Sequence, residues 1–148
     1  MKLVKKSYLA LCQLSEANFR TSTWECTYPI ARHESFVFHC GEDIPNGKEA
    51  HTRFELVECI KEDMGILRCV PITGRTHQIR LHAEAMGHPI VGDHVYNGSD
   101  LGTPKKHRIQ KQSIFLQSSE LAWPEYGYNF KLNIPEYWRD MHYINIFK

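Results

Sequence analysis

No stretch of this chain approaches the roughly 18 consecutive apolar residues that a membrane-spanning helix requires, and its mean hydropathy is −0.45. We therefore expect no association with a membrane.

The five cysteines are an odd number, and none of them forms a C-x-x-C pair with another. This pattern excludes a zinc knuckle and a disulfide framework, and it predicts reduced thiols in a cytoplasmic protein.

A strong net charge is also missing, since the chain carries only +1 over 148 residues. Taken as a whole, that is a weak signature for a nucleic-acid-binding protein. The distribution is uneven, however, because residues 64–111 contain seven Lys and Arg against three Asp and Glu. An anionic partner is therefore expected to meet the middle third of the chain, although a solvated basic face would show the same pattern.

The composition is that of an ordinary globular domain, with 42% hydrophobic and 24% charged residues. A chain of this length can bury a hydrophobic core without metals or disulfides. We find no internal repeat and no low-complexity tract, so residues 1–148 are expected to form part or all of one domain.

The first third of the chain predicts two strands and a long loop. Residues 4–14 are rich in Leu, Val and Tyr and predict a largely buried strand, and residues 24–30 predict a second short one. Residues 31–49, which contain Pro45-Asn46-Gly47, predict a loop.

The remaining two thirds predict further strands around one obvious helix. The alternating runs 51–60 and 65–72 predict an antiparallel hairpin, and helical spacing over residues 76–86 ends at Gly87, where a C-terminal cap belongs. The last segments predict a polar loop, two more strands and a short helix at residues 99–112, 114–123, 128–134 and 136–148. Hairpin connections without a βαβ rhythm predict an α+β domain on a mainly antiparallel mixed sheet with few helices.

The densest chemistry lies in residues 71–96, which read PITGRTHQIRLHAEAMGHPIVGDHVY. Gly74-Arg75-Thr76 enters the predicted helix there. It offers backbone N–H groups, a hydroxyl and a guanidinium together, a combination suited to a phosphate.

Two metal-dependent interpretations of this segment fail on spacing. His77 and His82 are five residues apart, about 140° around a helix, so they do not share a face as metal ligands would. His82-Ala83-Glu84 reproduces the H-x-E element of zinc deaminases, but the chain has no P-C-x-x-C partner for it.

The same segment closely resembles the signature of RluA-type pseudouridine synthases. The matching residues are Pro71, TGRTHQIR at 73–80, His82, GHPI at 87–90, Gly92-Asp93 and Tyr96. The family's K-x-Y-x-A strand is similar to residues 6–10, and its GK-x-A-x-T entry into a strand is similar to residues 47–52. The resemblance extends over essentially the whole chain and implies a partial pseudouridine synthase catalytic fold.

The resemblance also implies roles for particular residues. In that family an aspartate acts on the ribose of a flipped-out uridine, and the base detaches, rotates and rejoins through carbon, with no cofactor and no metal. Tyr8 would stack on the base and take part in moving the C5 proton, Arg80 would orient the aspartate, and Ile79 would pack beside the base. Further contacts to the RNA substrate, ribosomal or transfer, would come from Arg75, Thr76, His77, Leu116, Lys105, Lys106 and Arg108.

One element of the family pattern is missing. The family's aspartate belongs to an HRLD motif well upstream of the tyrosine, whereas only seven residues precede Tyr8. Of the five aspartates present, Asp93 belongs to the GD element, which we interpret as holding a turn. The sequence thus predicts the C-terminal part of a catalytic domain that is inactive by itself.

Several roles remain open for such a chain. It could pair with an N-terminal half that carries the aspartate, serve as a non-catalytic RNA-binding module, or be a remnant without function. Missing strands would leave a sheet edge or an apolar face uncovered, so a homodimer or a complementing half is the expected partner. Leu116-Gln117-Ser118, which stands where the family usually has L-H-A, is a second departure from the pattern.

Overall fold

A computed structural model describes residues 5–15, 22–34, 37–61, 63–93, 95–96, 114–123, 128–131, 133–135 and 138. The elements, in chain order, are β1 Lys5–Gln13, β2 Thr23–Cys26, β3 Ile30–Glu34, β4 Val37–Cys40, β5 Thr52–Lys61, β6 Met64–Pro71, α1 Gln78–Ala85, β7 Leu116–Trp123 and β8 Tyr128–Lys131. Within these ranges, no helix has the length and hydropathy needed to cross a membrane.

Six of the strands form one sheet in the order β2-β5-β6-β1-β7-β8, and each neighbouring pair is antiparallel. β1 lies inside the sheet, where Tyr8 stands opposite Cys69 of β6 and Ser118 of β7. The predicted α+β class, with a mainly antiparallel sheet and few helices, is confirmed.

The predicted hairpin is β5 and β6. Along β5 the buried Thr52 and Phe54 alternate with the exposed Arg53 and Glu55, which is the pattern of a strand with one face against the core. The strands of the hairpin pair over most of their length. Its β6 start needs Gly65, because a Cβ there would lie 2.9 Å from a methyl group of Leu14.

The predicted helix is α1, which packs its Ile79 and Ala83 side into the core beside the sheet. Gly87 stands two residues after the end of α1, and its φ of 88° is the left-handed conformation that favours glycine. The Gly87 N–H bonds the carbonyl of Glu84 and the His88 N–H bonds that of Ala83, which is the Schellman arrangement. The predicted C-terminal cap is therefore confirmed.

The loop predicted over residues 31–49 is wrong in its first part. β3 and β4 form a separate two-stranded antiparallel sheet, and the single strand predicted over 24–30 is in fact the end of β2, a break, and the first residue of β3. The small sheet is held by distant contacts: Ile30 bridges Lys48, and the Phe38 N–H donates to the Tyr96 hydroxyl. Local sequence patterns do not record such contacts.

Two of the segments predicted from sequence lie wholly or mostly outside the described residues. The polar loop at 99–112, with Lys105, Lys106 and Arg108, falls there entirely. The C-terminal segment 136–148 is described only at Trp138, which is buried against Phe115 in the core.

Candidate functional site

A cavity of about 620 Å³, here called the central cavity, opens where β1, β6, β7 and the start of α1 meet. Its wall includes Lys6, Tyr8, Ile79, Arg80 and Leu116. These residues come from three distant parts of the sequence. The fold thus gathers around one cavity the aromatic ring, the arginine and the apolar side chains that the resemblance assigned to a uridine site.

The pairing of β1 with β7 is irregular beside Tyr8. Ser7 faces Glu120 while Tyr8 faces Ser118, so Ser119 is an extra residue in β7. The Ser119 hydroxyl donates to the Ser7 carbonyl at 3.2 Å, and both serines are buried. A bulge of this kind bends the strand and redirects neighbouring side chains. Nothing in the sequence marked Ser119 as the place of this irregularity.

The loop 73–76 is organised by Gln78, a side chain that is only 3% exposed. Its Oε1 accepts the Thr73 hydroxyl at 2.6 Å and the Arg75 backbone N–H at 3.1 Å. Its Nε2 donates to the His51 carbonyl at 2.8 Å and to the Thr52 hydroxyl oxygen at 2.9 Å. One buried amide therefore fixes the loop against the start of β5. The place of Gln78 inside the TGRTHQIR motif was the only signal of this role in the sequence.

His77 precedes α1 in the left-handed conformation, with φ at 56°, which is uncommon for a residue other than glycine. Its Nδ1 lies 2.7 Å from the Tyr96 hydroxyl, which itself accepts the Phe38 N–H at 3.1 Å. The Tyr96 hydroxyl therefore joins the His77 ring to the backbone of β4. Burial, aided by the charge of Arg80, lowers the pKa of His77. The cavity wall carries this histidine as a neutral ring.

Arg80 is held by Asp93. Its Nε and Nη2 donate to the two carboxylate oxygens at 2.9 and 2.8 Å, and its guanidinium lies 4.8 Å from the centre of the Tyr96 ring. Asp93 also accepts the backbone N–H groups of Val95 and Tyr96, as expected of the residue that holds a turn. Arginine has five N–H donors and Asp93 engages two of them. The cation is thus fixed at the cavity with donors left for a second acceptor.

The structure places the other predicted site residues as follows. Arg75 and His77 line the central cavity, while Thr76 lines a neighbouring one. Lys6 and Ile72 line the central cavity without having been predicted as site residues.

His82 has a structural environment. Its Nε2 donates to the Tyr28 carbonyl at 2.8 Å, so its Nδ1 accepts the Thr52 hydroxyl at 2.7 Å. Both ring nitrogens are therefore engaged inside the protein. Burial lowers its pKa, in keeping with a neutral ring.

The known proteins to which this chain is similar are RNA pseudouridine synthases. Residues 1–85 match the family described as RNA pseudouridylate synthase. The chain is 36% identical over 88 residues to the dual-specificity RNA pseudouridine synthase RluA of Vibrio parahaemolyticus, covering 57% of this chain and 32% of that protein. It is 32% identical over 156 residues to ribosomal large subunit pseudouridine synthase C of Rickettsia felis, covering 93% of this chain and 50% of that protein.

The fold is also similar to that of a solved structure, human RNA pseudouridylate synthase domain containing 4. The TM-score is 0.67 at 21% identity, over 96% of this chain and 62% of that one. The chain spans between 16 and 50% of the length of the relatives named above and of human pseudouridylate synthase RPUSD2. With more than half of its residues inside the matched region and the motif residues gathered at one cavity, the chain belongs to the RNA pseudouridylate synthase family, in its RluA-type branch.

Proposed function

We propose that residues 1–148 are the C-terminal part of a catalytic domain that isomerises uridine to pseudouridine in structured RNA, ribosomal or transfer, in the cytoplasm. The observation that carries this proposal is the central cavity, where Tyr8, Ile79 and Arg80 line one space. An extruded base needs an aromatic platform and an apolar neighbour, and a nearby carboxylate that must remain anionic needs a fixed cation.

The proposed reaction needs no cofactor or metal. The bond between C1′ of the ribose and N1 of uracil breaks, the base turns, and a new bond joins C1′ to C5. C5 loses its hydrogen as a proton and N1 gains one, so the product is an isomer of the substrate. Tyr8 supports the base and takes part in moving the C5 proton, and Ile79 packs beside the ring.

Arg80 is proposed to orient the aspartate that acts on the ribose. Asp93 does not fill that role, because both of its oxygens bind Arg80 and its side chain is 1% exposed. Asp93 instead anchors the guanidinium so that its other N–H groups can meet a second carboxylate. We therefore propose that the reacting aspartate is supplied by polypeptide outside these 148 residues, and that this chain by itself does not carry out the reaction.

Release of tritium from RNA labelled at C5 of uridine tests the proposal, because isomerisation frees that hydrogen to water. The natively purified protein, with whatever polypeptide accompanies it, is incubated with ribosomal and transfer RNA transcripts. We expect release by this preparation, at least a hundredfold slower release with Tyr8→Phe or Arg80→Lys, and unchanged release with Cys59→Ser, an exposed residue outside the cavity. RNA binding without release would favour the non-catalytic RNA-binding module instead.

A further inference from the structure

A second cavity of about 520 Å³, here called the side cavity, adjoins the central one. Gly74 and Arg75 line both, so this short piece of the 73–76 loop forms the ridge between them. The far wall of the side cavity includes Arg32, Phe38 and Lys48, which come from β3, β4 and the segment that follows them. Nothing in the proposed chemistry of the base uses this cavity.

The basic wall is fixed in place by several contacts. Ile30 and Lys48 exchange two backbone hydrogen bonds of 2.9 and 2.8 Å, which tie the Lys48 backbone to β3. Arg32 pairs with Phe38 across the β3–β4 sheet, and its guanidinium lies 5.3 Å from the centre of that ring. Since the Phe38 N–H also bonds the Tyr96 hydroxyl, the wall is tied to the same residue that contacts His77 in the central cavity.

The cations of the side cavity differ from the other arginines that the structure describes. Arg53, Arg68 and Arg80 each form an ion pair with a carboxylate, at 2.7, 3.9 and 2.8 Å. Arg32 instead faces an aromatic ring, and the Arg75 Nε donates to the carbonyl of Glu49 at 2.7 Å.

Lys48 is the third cation that lines the side cavity, with Arg32 and Arg75. Over the described part of the chain, none of these three cations has a carboxylate within ion-pair distance, and no acidic residue lines the cavity. Three cations that converge on one cavity without a protein carboxylate favour a ligand that brings its own negative charge.

We propose that the side cavity binds the phosphodiester backbone of the RNA strand beside the target uridine. Arg32, Lys48 and Arg75 contact the phosphates there. This inference rests on the proposed function, because it takes the central cavity as the place of the flipped base. The Gly74-Arg75 ridge then lies between the base in one cavity and the backbone in the other. The site reads charge rather than sequence, and so it contributes affinity and positioning.

Binding of a fluorescein-labelled oligouridine of twelve nucleotides by the full chain, measured by anisotropy between 50 and 200 mM KCl, tests the site. The double variant Arg32→Gln/Lys48→Gln removes two of the cations. The matched control Arg53→Gln/Arg68→Gln removes the same charge from arginines that line neither cavity. We expect a roughly tenfold higher Kd for the first variant and a salt dependence whose slope falls by about 1.4, the value for two phosphate contacts on a single strand. The control should change Kd less than twofold.

The outcomes separate this site from the proposed function. Equal effects of the two double variants on Kd and on the salt slope would overturn the phosphate site, as would failure of the unaltered chain to bind oligouridine. Weaker binding by Arg32→Gln/Lys48→Gln alone supports it, whatever the tritium assay shows. Absence of tritium release from the native preparation, combined with that weaker binding, would contradict the isomerase activity and leave the RNA backbone site in place.

Discussion

Arg80 meets Asp93 through two parallel hydrogen bonds of 2.9 and 2.8 Å, with the carboxylate 1% exposed and the arginine side chain 21% exposed. The family resemblance predicts a carboxylate beside this arginine, namely the reacting aspartate. The carboxylate in the structure is instead the one that holds the turn at residues 93–96. A structural ion pair thus positions the cation that the proposed reaction needs.

Asp93→Asn is expected to destabilise the chain by about 3 kcal/mol. The substitution leaves the partly buried guanidinium without its counter-charge and turns an amide N–H toward an arginine N–H. Glu55→Gln, which removes the carboxylate of the exposed Arg68 pair at 3.9 Å, should cost less than about 0.5 kcal/mol. Urea unfolding monitored by circular dichroism gives both values. Equal losses in the two variants would show that the Arg80 pair is no stronger than a surface contact.

Gln78→Leu is expected to lower the free energy of unfolding by about 3 kcal/mol. The substitution leaves buried polar groups of the loop and of the start of β5 without their hydrogen-bond partner. Gln117→Leu serves as a control, since Gln117 makes one exposed hydrogen bond of 3.3 Å. It should change stability by less than about 0.5 kcal/mol. If Gln78→Leu is as mild as its control in the same unfolding titration, Gln78 does not hold the loop.

His88 makes folding dependent on pH. Its ring is fully buried between Trp24 and Phe54 and accepts the Trp24 indole N–H. Burial lowers its pKa from 6.5 to about 4. Between these two pH values His88 is protonated in the unfolded chain and neutral in the folded chain. Stability contributed by the neutral ring is therefore complete above pH 6.5 and is lost as the pH falls toward 4, by roughly 3 kcal/mol in all.

His88→Gln should remove most of that dependence, because glutamine keeps an acceptor for the indole and does not titrate. The measurement is the free energy of unfolding at pH 7.5, 6.5, 5.5 and 4.5. The difference between the unaltered chain and the variant should shrink by about 2.5 kcal/mol between pH 7.5 and 4.5. Gln117→Leu, which removes no titratable group, should leave the dependence as it is. Parallel pH curves for the unaltered chain and His88→Gln would refute the assignment.

Gly74 tests the ridge between the two cavities without disturbing the core. A Cβ at Gly74 meets nothing within 4 Å, so Gly74→Ala should change stability by less than about 0.5 kcal/mol. Gly65→Ala, whose Cβ would lie 2.9 Å from side chains of Leu14 and Leu56, should cost more than about 1 kcal/mol. If RNA lies across the ridge, Gly74→Ala raises the Kd for oligouridine severalfold while the fold remains intact. An unchanged Kd would place the strand elsewhere.

Elements with local signals were predicted from the sequence, and elements held by distant contacts were not. The alternation along β5 and the Gly87 cap of α1 depend on residues that are neighbours in sequence, so both were predicted. The β3–β4 sheet was missed because its anchors lie far apart in sequence, as in the contact of Phe38 with Tyr96.

The same distinction applies to the site. The motif led to Tyr8 and Arg80, which line one cavity. It did not lead to the irregularity at Ser119, which depends on strand register. It did not lead to the side cavity either, since Arg32 and Lys48 become neighbours of Arg75 only through the fold.

We propose that this chain carries the uridine site and depends on an aspartate from other polypeptide. The most direct test is native purification through a C-terminal tag, followed by intact-mass determination of the protein and of everything bound to it. We predict a longer native chain or a bound polypeptide that contains the HRLD motif. A native protein of 17.3 kDa that is alone and still releases tritium from C5-labelled RNA would contradict the claim.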